Sequence, residues 1–277
     1  MHSTMNQTDQ NVSAEDLRAL LQDKYDGKMP SDEKGRKEYE ADVKRLAAGE
    51  PLAYVIGWVP FLGLRIYLSP DSSLASEASK SRHALIPRPE TEWWTEKLIT
   101  YLREKFGDES FELLDLCAGS GAIGLAVLHA FPNAFVSLGE INPEHVQTID
   151  RNIRENNLDD ERVVMEAGDL FTPFEDTQFD IIVSNPPYIP EAREIEKSVT
   201  LYEPAQALYS GADGLDLIRH ILADAPLYLL PQGELWIECD TENIEEAKSI
   251  AERAGYSDVH IHLDQYGRVR LLVGHFE

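Results

Sequence analysis

From residue 111 onward, short apolar runs alternate with segments in which apolar residues recur every three or four positions: 111–117, 122–130, 135–139, 143–156, 162–167 and 179–184. Runs of the first kind have the length of buried strands, and those of the second carry one apolar helix face. The alternation predicts an α/β chain, a parallel sheet covered by helices on both faces. Asn142-Pro143 opens one helix well, with Asn as cap, Pro in the first turn, and Val146, Ile149 and Ile153 facing the sheet. The pattern continues with a helix around 216–229, a strand over 234–239, a helix over 242–253 closed by Gly255, and terminal strands over 258–263 and 268–273. Only Asp264-Gln265-Tyr266-Gly267 joins the last two strands. That is too short for a parallel crossover, so they pair antiparallel or not at all.

The first 110 residues read differently. Beyond a polar start, Ser13 caps a helix carrying Leu17, Leu20 and Leu21. Asp32-Glu33 opens a second with Tyr39, Val43, Leu46 and Ala47, which Gly49 and Pro51 end. Two helices with so few large apolar residues form a small module that must lean on something else. Residues 52–68 are β-prone runs broken by Gly57, Pro60 and Gly63, which predicts a hairpin. Residues 71–83, rich in Ser and Ala, read as an exposed loop. The prolines of Leu85-Ile86-Pro87-Arg88-Pro89-Glu90-Thr91 hold the chain extended before a helix with Trp93, Trp94, Leu98, Ile99 and Leu102. The expected organisation is a helical module over 1–51, a hairpin linker with an inserted loop over 52–84, and an α/β domain over 85–277.

A chain of 277 residues suits that division, and a hydrophobic content of 43% is ordinary for a globular protein. No stretch approaches the ~20 apolar residues of a membrane span. The start, Met1-His2-Ser3-Thr4-Met5-Asn6-Gln7, lacks the basic and apolar segments of a signal peptide, so a cytoplasmic protein is expected. Cys117 and Cys239 lie in apolar, strand-like segments and read as buried free thiols. The formal charge of -25 repels a phosphate backbone, which disfavours nucleic acid as a partner.

Candidate chemistry begins at Leu113-Leu114-Asp115-Leu116-Cys117-Ala118-Gly119-Ser120-Gly121-Ala122-Ile123-Gly124, a strand, a glycine turn and a helix start. Gly119 to Gly124 satisfies G-x-G-x-x-G, and Glu140 follows about 20 residues on, as in a dinucleotide site. A dehydrogenase is therefore one reading. Asp115 argues against it, because a carboxylate on the strand feeding the turn repels a pyrophosphate and attracts a cationic ammonium group. S-adenosyl-L-methionine carries such a group. On that reading Ala118, Gly119, Ser120 and Gly121 approach the ligand with their backbone, Glu140 accepts from the ribose hydroxyls, and Asp169 accepts from the adenine amino group.

The second candidate is Ser184-Asn185-Pro186-Pro187-Tyr188, which leaves the apolar run Phe179-Asp180-Ile181-Ile182-Val183. Methyl transfer from a sulfonium needs a nucleophile with a free lone pair aimed at the methyl carbon. A planar amide nitrogen delocalises its lone pair. Acceptors on both of its hydrogens, the Asn185 side-chain oxygen and the Pro186 carbonyl, would orient it and favour a pyramidal transition state, with the Tyr188 ring against its face. No general base is needed before attack, because the methylated nitrogen loses its proton readily.

At these residues the chain resembles the class I methyltransferases, and more closely the HemK/PrmC family of protein-(glutamine-N5) methyltransferases that act on peptide chain release factors. The resemblance runs from about Glu50 to the C-terminus. It rests on Glu50-Pro51-Leu52-Ala53-Tyr54-Val55-Ile56-Gly57, Leu85 to Glu92, the turn from Asp115 to Gly121, Asn185 to Tyr188, Glu203-Pro204, and Gly211-Ala212-Asp213-Gly214-Leu215. It implies a Rossmann-like, seven-stranded sheet with the last strand antiparallel, S-adenosyl-L-methionine as donor with S-adenosyl-L-homocysteine as product, and the glutamine of a Gly-Gly-Gln loop as acceptor. It further implies that Cys117, Leu170 and Asn185 line the cofactor, that Asn185, Pro186, Pro187 and Tyr188 hold the glutamine amide, that Pro89, Glu90 and Thr91 lie near that cavity, and that the N-terminal module recognises the substrate. The same chemistry on a ribosomal protein glutamine or a nucleic-acid base is the alternative. The chain departs from the family in its short helical module, its insertion at 71–83, Cys117 where Gly is usual, and Leu170 where bulkier residues occur.

His260 and His262 share a strand face without a third ligand nearby, so no metal site is expected there. Trp93 and Trp94 are adjacent on a helix and point apart, so at least one belongs to the core.

Overall fold

The computed structural model describes residues 12–70 and 82–277. The predicted frayed start and most of the predicted exposed loop at 71–83 lie outside the described residues. Three helices come first: α1 (Ala14–Lys24), α2 (Glu33–Ala47) and α3 (Leu52–Ile56), followed by a hairpin of β1 (Trp58–Phe61) and β2 (Leu64–Tyr67). Then follow α4 (Pro89–Phe106), β3 (Phe111–Leu116), α5 (Ala122–Ala130), β4 (Ala134–Glu140), α6 (Pro143–Glu155), β5 (Val163–Ala167), β6 (Phe179–Ser184), α7 (Lys197–Tyr202), α8 (Asp216–Asp224), β7 (Leu229–Glu238), α9 (Ile244–Arg253), β8 (Ser257–Leu263) and β9 (Val269–His275).

Strands β3 to β9 form a seven-stranded sheet in the order β5-β4-β3-β6-β7-β9-β8. The pairs among β3 to β7 are parallel, and β9 is antiparallel to both β7 and β8. The period of two within each strand places alternate side chains on opposite faces. Leu113, Ile181 and Val183 enter one core with α4 and α5, while Leu114, Leu116 and Ile182 enter the other with α8 and α9. Both faces are dry, which is why these strands read as unbroken apolar runs. Ser13 and Asn142 cap their helices as the sequence predicts, accepting from Asp16 N and Glu144 N, and Asp32 also serves as a cap by accepting from Gly35 N.

Three local expectations need correction. The hairpin does not begin at residue 52, because Leu52–Ile56 is a helix that follows Pro51 and is closed by Gly57 in a left-handed conformation. Its run is too short for hydrophobic period to separate helix from strand, and burial of Tyr54 and Val55 against the module decides. His83 is not exposed, since its ring lies 4.6 Å from the buried Tyr54 ring. Strand β7 begins at Leu229 rather than 234, in the place where a helix end was expected, with Gln232 at φ 66° taking up an irregularity in its pairing.

The helical module has its own small core around Leu20, Val43 and Val55. The hairpin instead joins the main core through Phe61, Leu64 and Ile66. Two amides one turn apart, Asn152 on α6 and Asn156 at its C-terminal cap, substitute for a neighbouring strand: Asn152 bonds both Tyr67 N and Tyr67 O, and Asn156 bonds both Arg65 N and Arg65 O. No helix among the described residues is long and apolar enough to cross a membrane.

Candidate active site

The strand order reverses between β3 and β6, and the chain turns that follow these two strands are therefore neighbours. Leu116 pairs with Ser184, and Ser184 Oγ donates to Leu116 O at 2.7 Å, so Cys117 and Asn185 leave the sheet side by side.

In the turn after β3, Cys117, Gly119 and Gly121 all have positive φ, at 60°, 57° and 79°. Gly121 and Gly124 are tightly enclosed: a Cβ on Gly121 would meet Leu138 at 3.1 Å, and one on Gly124 would meet Asp115 at 3.1 Å, so either neighbour would have to shift. Gly119 faces open space. Asp115 lies beneath the turn with no exposed surface, and its Oδ2 accepts from Gly124 N at 2.8 Å while Oδ1 has no hydrogen-bond partner among the described residues. Burial pushes its carboxyl up to about 7. Glu140 ends β4 and accepts from Gly119 N at 2.8 Å and Asn142 N at 3.0 Å. Burial alone would raise Glu140, but His145 and these two N–H groups outweigh it and hold the carboxyl below its ordinary value. Asp169 is exposed, two residues past β5, and Leu170 beside it has φ 45°. The three carboxylates therefore do lie at the ends of β3, β4 and β5.

Beside this turn, Asn185, Pro186 and Tyr188 line a cleft of about 280 Å³ together with Leu85, Arg88, Ile189, Ile195 and Val199. Pro187 is half-buried in the same turn. Of the three neighbouring residues expected near the cavity, only Thr91 reaches Asn185, accepting from its Nδ2 at 3.1 Å. Pro89 is exposed, and Glu90 turns away to pair with Arg268 at the β8–β9 turn. Gly214 presses its backbone against the Tyr188 carbonyl, which also accepts from Asn243 Nδ2 at 3.3 Å.

Glu238, at the end of β7, is a buried carboxylate that the sequence did not single out. Its Oε2 accepts from Thr91 Oγ1 and from Trp94 Nε1, both at 2.7 Å, and its Oε1 from Tyr188 OH at 3.0 Å. Burial outweighs these donors and raises its pKa. The available signal was a second acidic residue in step with Glu234 within an otherwise apolar strand. Arg88, inside a quoted motif but not expected to line the cavity, pairs with the buried Glu203. The remaining residues fall outside the site: His260 pairs with Asp258, His262 stacks on Trp236, and Trp93 packs under Lys97.

A parallel sheet with an antiparallel last strand, a glycine turn at the reversal point and an Asn-Pro-Pro-Tyr turn beside it define a class I methyltransferase. Comparison with known proteins agrees. Residues 93–202 match the methyltransferase small domain family. A T. thermophilus 16S rRNA N2 G1207 methyltransferase, solved with AdoMet and guanosine, superposes with a TM-score of 0.50 at 18% identity, covering 79% of this chain and 50% of that one. A release factor glutamine methyltransferase of Geobacter sulfurreducens is 35% identical over 84% of this chain and 75% of its own length. One from Rhodopirellula baltica is 32% identical over 88% and 80%. The chain belongs to the release factor glutamine methyltransferase family.

Proposed function

We propose that this protein transfers a methyl group from S-adenosyl-L-methionine to the side-chain amide nitrogen of a glutamine in a peptide chain release factor, the Gly-Gly-Gln glutamine. Family membership supports the reaction. The observation that carries the site assignment is the Asn185 carboxamide: its nitrogen is engaged by Thr91, which leaves Oδ1 for the cleft.

The residues around the glycine turn fit the donor. A buried carboxylate with one unpartnered oxygen suits a cationic ligand, and Gly119 leaves open space beside the turn. Asp115, Cys117, Ala118, Gly119, Ser120 and Gly121 would hold its amino-acid end, with Glu140 at the ribose and Asp169 and Leu170 at the base. Glu140 spends one acceptor position on each oxygen on backbone N–H groups and keeps further capacity for hydroxyls. When bound, the donor supplies a methyl carbon on a sulfonium.

Asn185 Oδ1 and the Pro186 carbonyl accept from the two hydrogens of the glutamine amide. This orients the nitrogen and stabilises the positive charge that develops on it. Tyr188 lies against the amide plane, with its hydroxyl committed to Glu238 rather than to the acceptor. No base is required at the nitrogen before attack. The apolar side of the cleft, including Leu85, Ile195 and Val199, excludes water that would otherwise compete for the amide hydrogens.

The test is to incubate the protein with methyl-labelled donor and either a release factor or its Gln→Ala variant. Label on the native factor alone is expected. Label on the variant, or only on RNA, would overturn the assignment.

A further inference from the structure

We propose that Thr91, Trp94 and Glu238 are positioning residues that fix which end of the Asn185 carboxamide faces the acceptor. This deepens the reading above and rests on Asn185 Oδ1 as an acceptor for the substrate amide.

Hydrogen-bond polarity carries the inference. An indole N–H can only donate. Trp94 Nε1 lies 2.7 Å from Glu238 Oε2, so an acceptor must occupy that position. The Thr91 hydroxyl lies 2.7 Å from the same oxygen and has one proton, which it gives there. Its oxygen can then only accept from its other neighbour. That neighbour, 3.1 Å away, is the Asn185 side chain, which must present its NH2 group. The carbonyl end of Asn185 is thereby left for the cleft that Asn185 lines. Without this chain of donors and acceptors the two ends of a carboxamide are nearly equal in shape. A flipped amide would offer donors to a substrate NH2 group and repel it.

The parts are held rigidly. Thr91 and Trp94 are three residues apart on α4 and so share one face, both buried. Thr91 O also accepts from Thr95 Oγ1 at 2.7 Å. Glu238 is 1% exposed and grips Tyr188 through its other oxygen, so one carboxylate orients both ends of the Asn185–Tyr188 turn. Only the acceptor character of Oε2 enters the relay, which makes a specific demand on variants. A Gln at 238 still places its carbonyl oxygen toward Trp94 and Thr91 and turns its NH2 toward Tyr188, whose hydroxyl can accept. A Leu cannot.

The experiment compares Thr91→Val, Thr91→Ser, Glu238→Gln and Glu238→Leu. In steady-state methylation of the release factor, Thr91→Val and Glu238→Leu are expected to lower kcat by about 10- to 100-fold with the KM for the donor unchanged. Thr91→Ser and Glu238→Gln are expected to stay within a few-fold of the wild type. The second readout needs no turnover: the side-chain 15N–1H signals of Asn185, which should shift or broaden in Thr91→Val and not in Thr91→Ser. An unchanged Asn185 signal in Thr91→Val would overturn the proposal, as would equal impairment in Thr91→Ser and Thr91→Val, which would mean a packing role. If the wild type leaves the glutamine unlabelled, the functional reading fails, and the Asn185 signals still decide the relay.

Discussion

Arg88 and Glu203, 115 residues apart, are joined by one guanidinium nitrogen that donates to both carboxylate oxygens at 2.8 Å. The pair locks the proline-rich entry to α4 onto the segment after α7, on the rim of the cleft that holds Asn185. Tyr202 OH extends the link by donating to Ala48 O at 2.9 Å, so the same region is anchored to the N-terminal helices.

The Glu203 side chain is 2% exposed, and removing the one cation paired with it among the described residues leaves a buried, unpaired charge. Arg88→Met is expected to lose about 3–5 kcal/mol of stability. The double variant Arg88→Met/Glu203→Met should regain most of that loss. Denaturant midpoints of the two single variants and the double variant check this.

Gly214 has φ 79°, and a Cβ there would sit 2.2 Å from the Tyr188 carbonyl oxygen. Gly214→Ala must displace the Asn185–Tyr188 turn. Turnover is expected to fall by about 100-fold, with donor affinity kept, because the glycine turn after β3 is untouched. Calorimetric binding of S-adenosyl-L-homocysteine alongside single-turnover rates would separate the two effects.

Asn152 ties the hairpin to the glycine turn after β3, since its Nδ2 donates both to Tyr67 O at 3.0 Å and to Ser120 O at 2.9 Å. Asn152→Ala leaves these groups and Tyr67 N without partners and should cost about 2–4 kcal/mol. Hydrogen exchange at the Tyr67 amide is expected to accelerate well before the sheet amides do.

Asp115 is expected to make stability and donor binding respond oppositely to pH. Its folded pKa of about 7 lies above the reference value of 3.8, so the folded state binds more protons between these limits. Its contribution to stability is therefore present below pH 4 and is lost as pH rises to 7. Relative to the wild type, Asp115→Asn should flatten the fall in melting temperature across that window. Affinity for S-adenosyl-L-homocysteine, whose ammonium group favours the ionised carboxylate, should rise through pH 7 in the wild type and not in the variant. Melting and calorimetry from pH 4 to 8 would read both.

The placement of the two turns that make the candidate site was legible because each is local. The glycine turn reads as one contiguous strand–turn–helix unit, although the neighbours that crowd Gly121 are Leu138 of β4 and Ile149 of α6, and Asn185 follows β6 directly. Parallel order then brings the two turns together. Glu90 neighbours Thr91 in sequence, but on a helix adjacent side chains diverge, and Glu90 pairs with Arg268 while Thr91 reaches Asn185. Glu238 went unnoticed because its meaning lies in Thr91 and Trp94, more than 140 residues away.

By itself the sequence determined the α/β alternation, the two dry faces of the sheet, the helix caps and the antiparallel final strands. These follow from side-chain period, local capping and loop length, which act over a few residues. Tertiary structure alone decided that Leu52–Ile56 is helical, that Arg88 closes on Glu203, and which way the Asn185 carboxamide points. Each depends on burial or on a hydrogen-bond partner supplied by a distant segment, and a short apolar run or a symmetric amide has no local preference strong enough to choose.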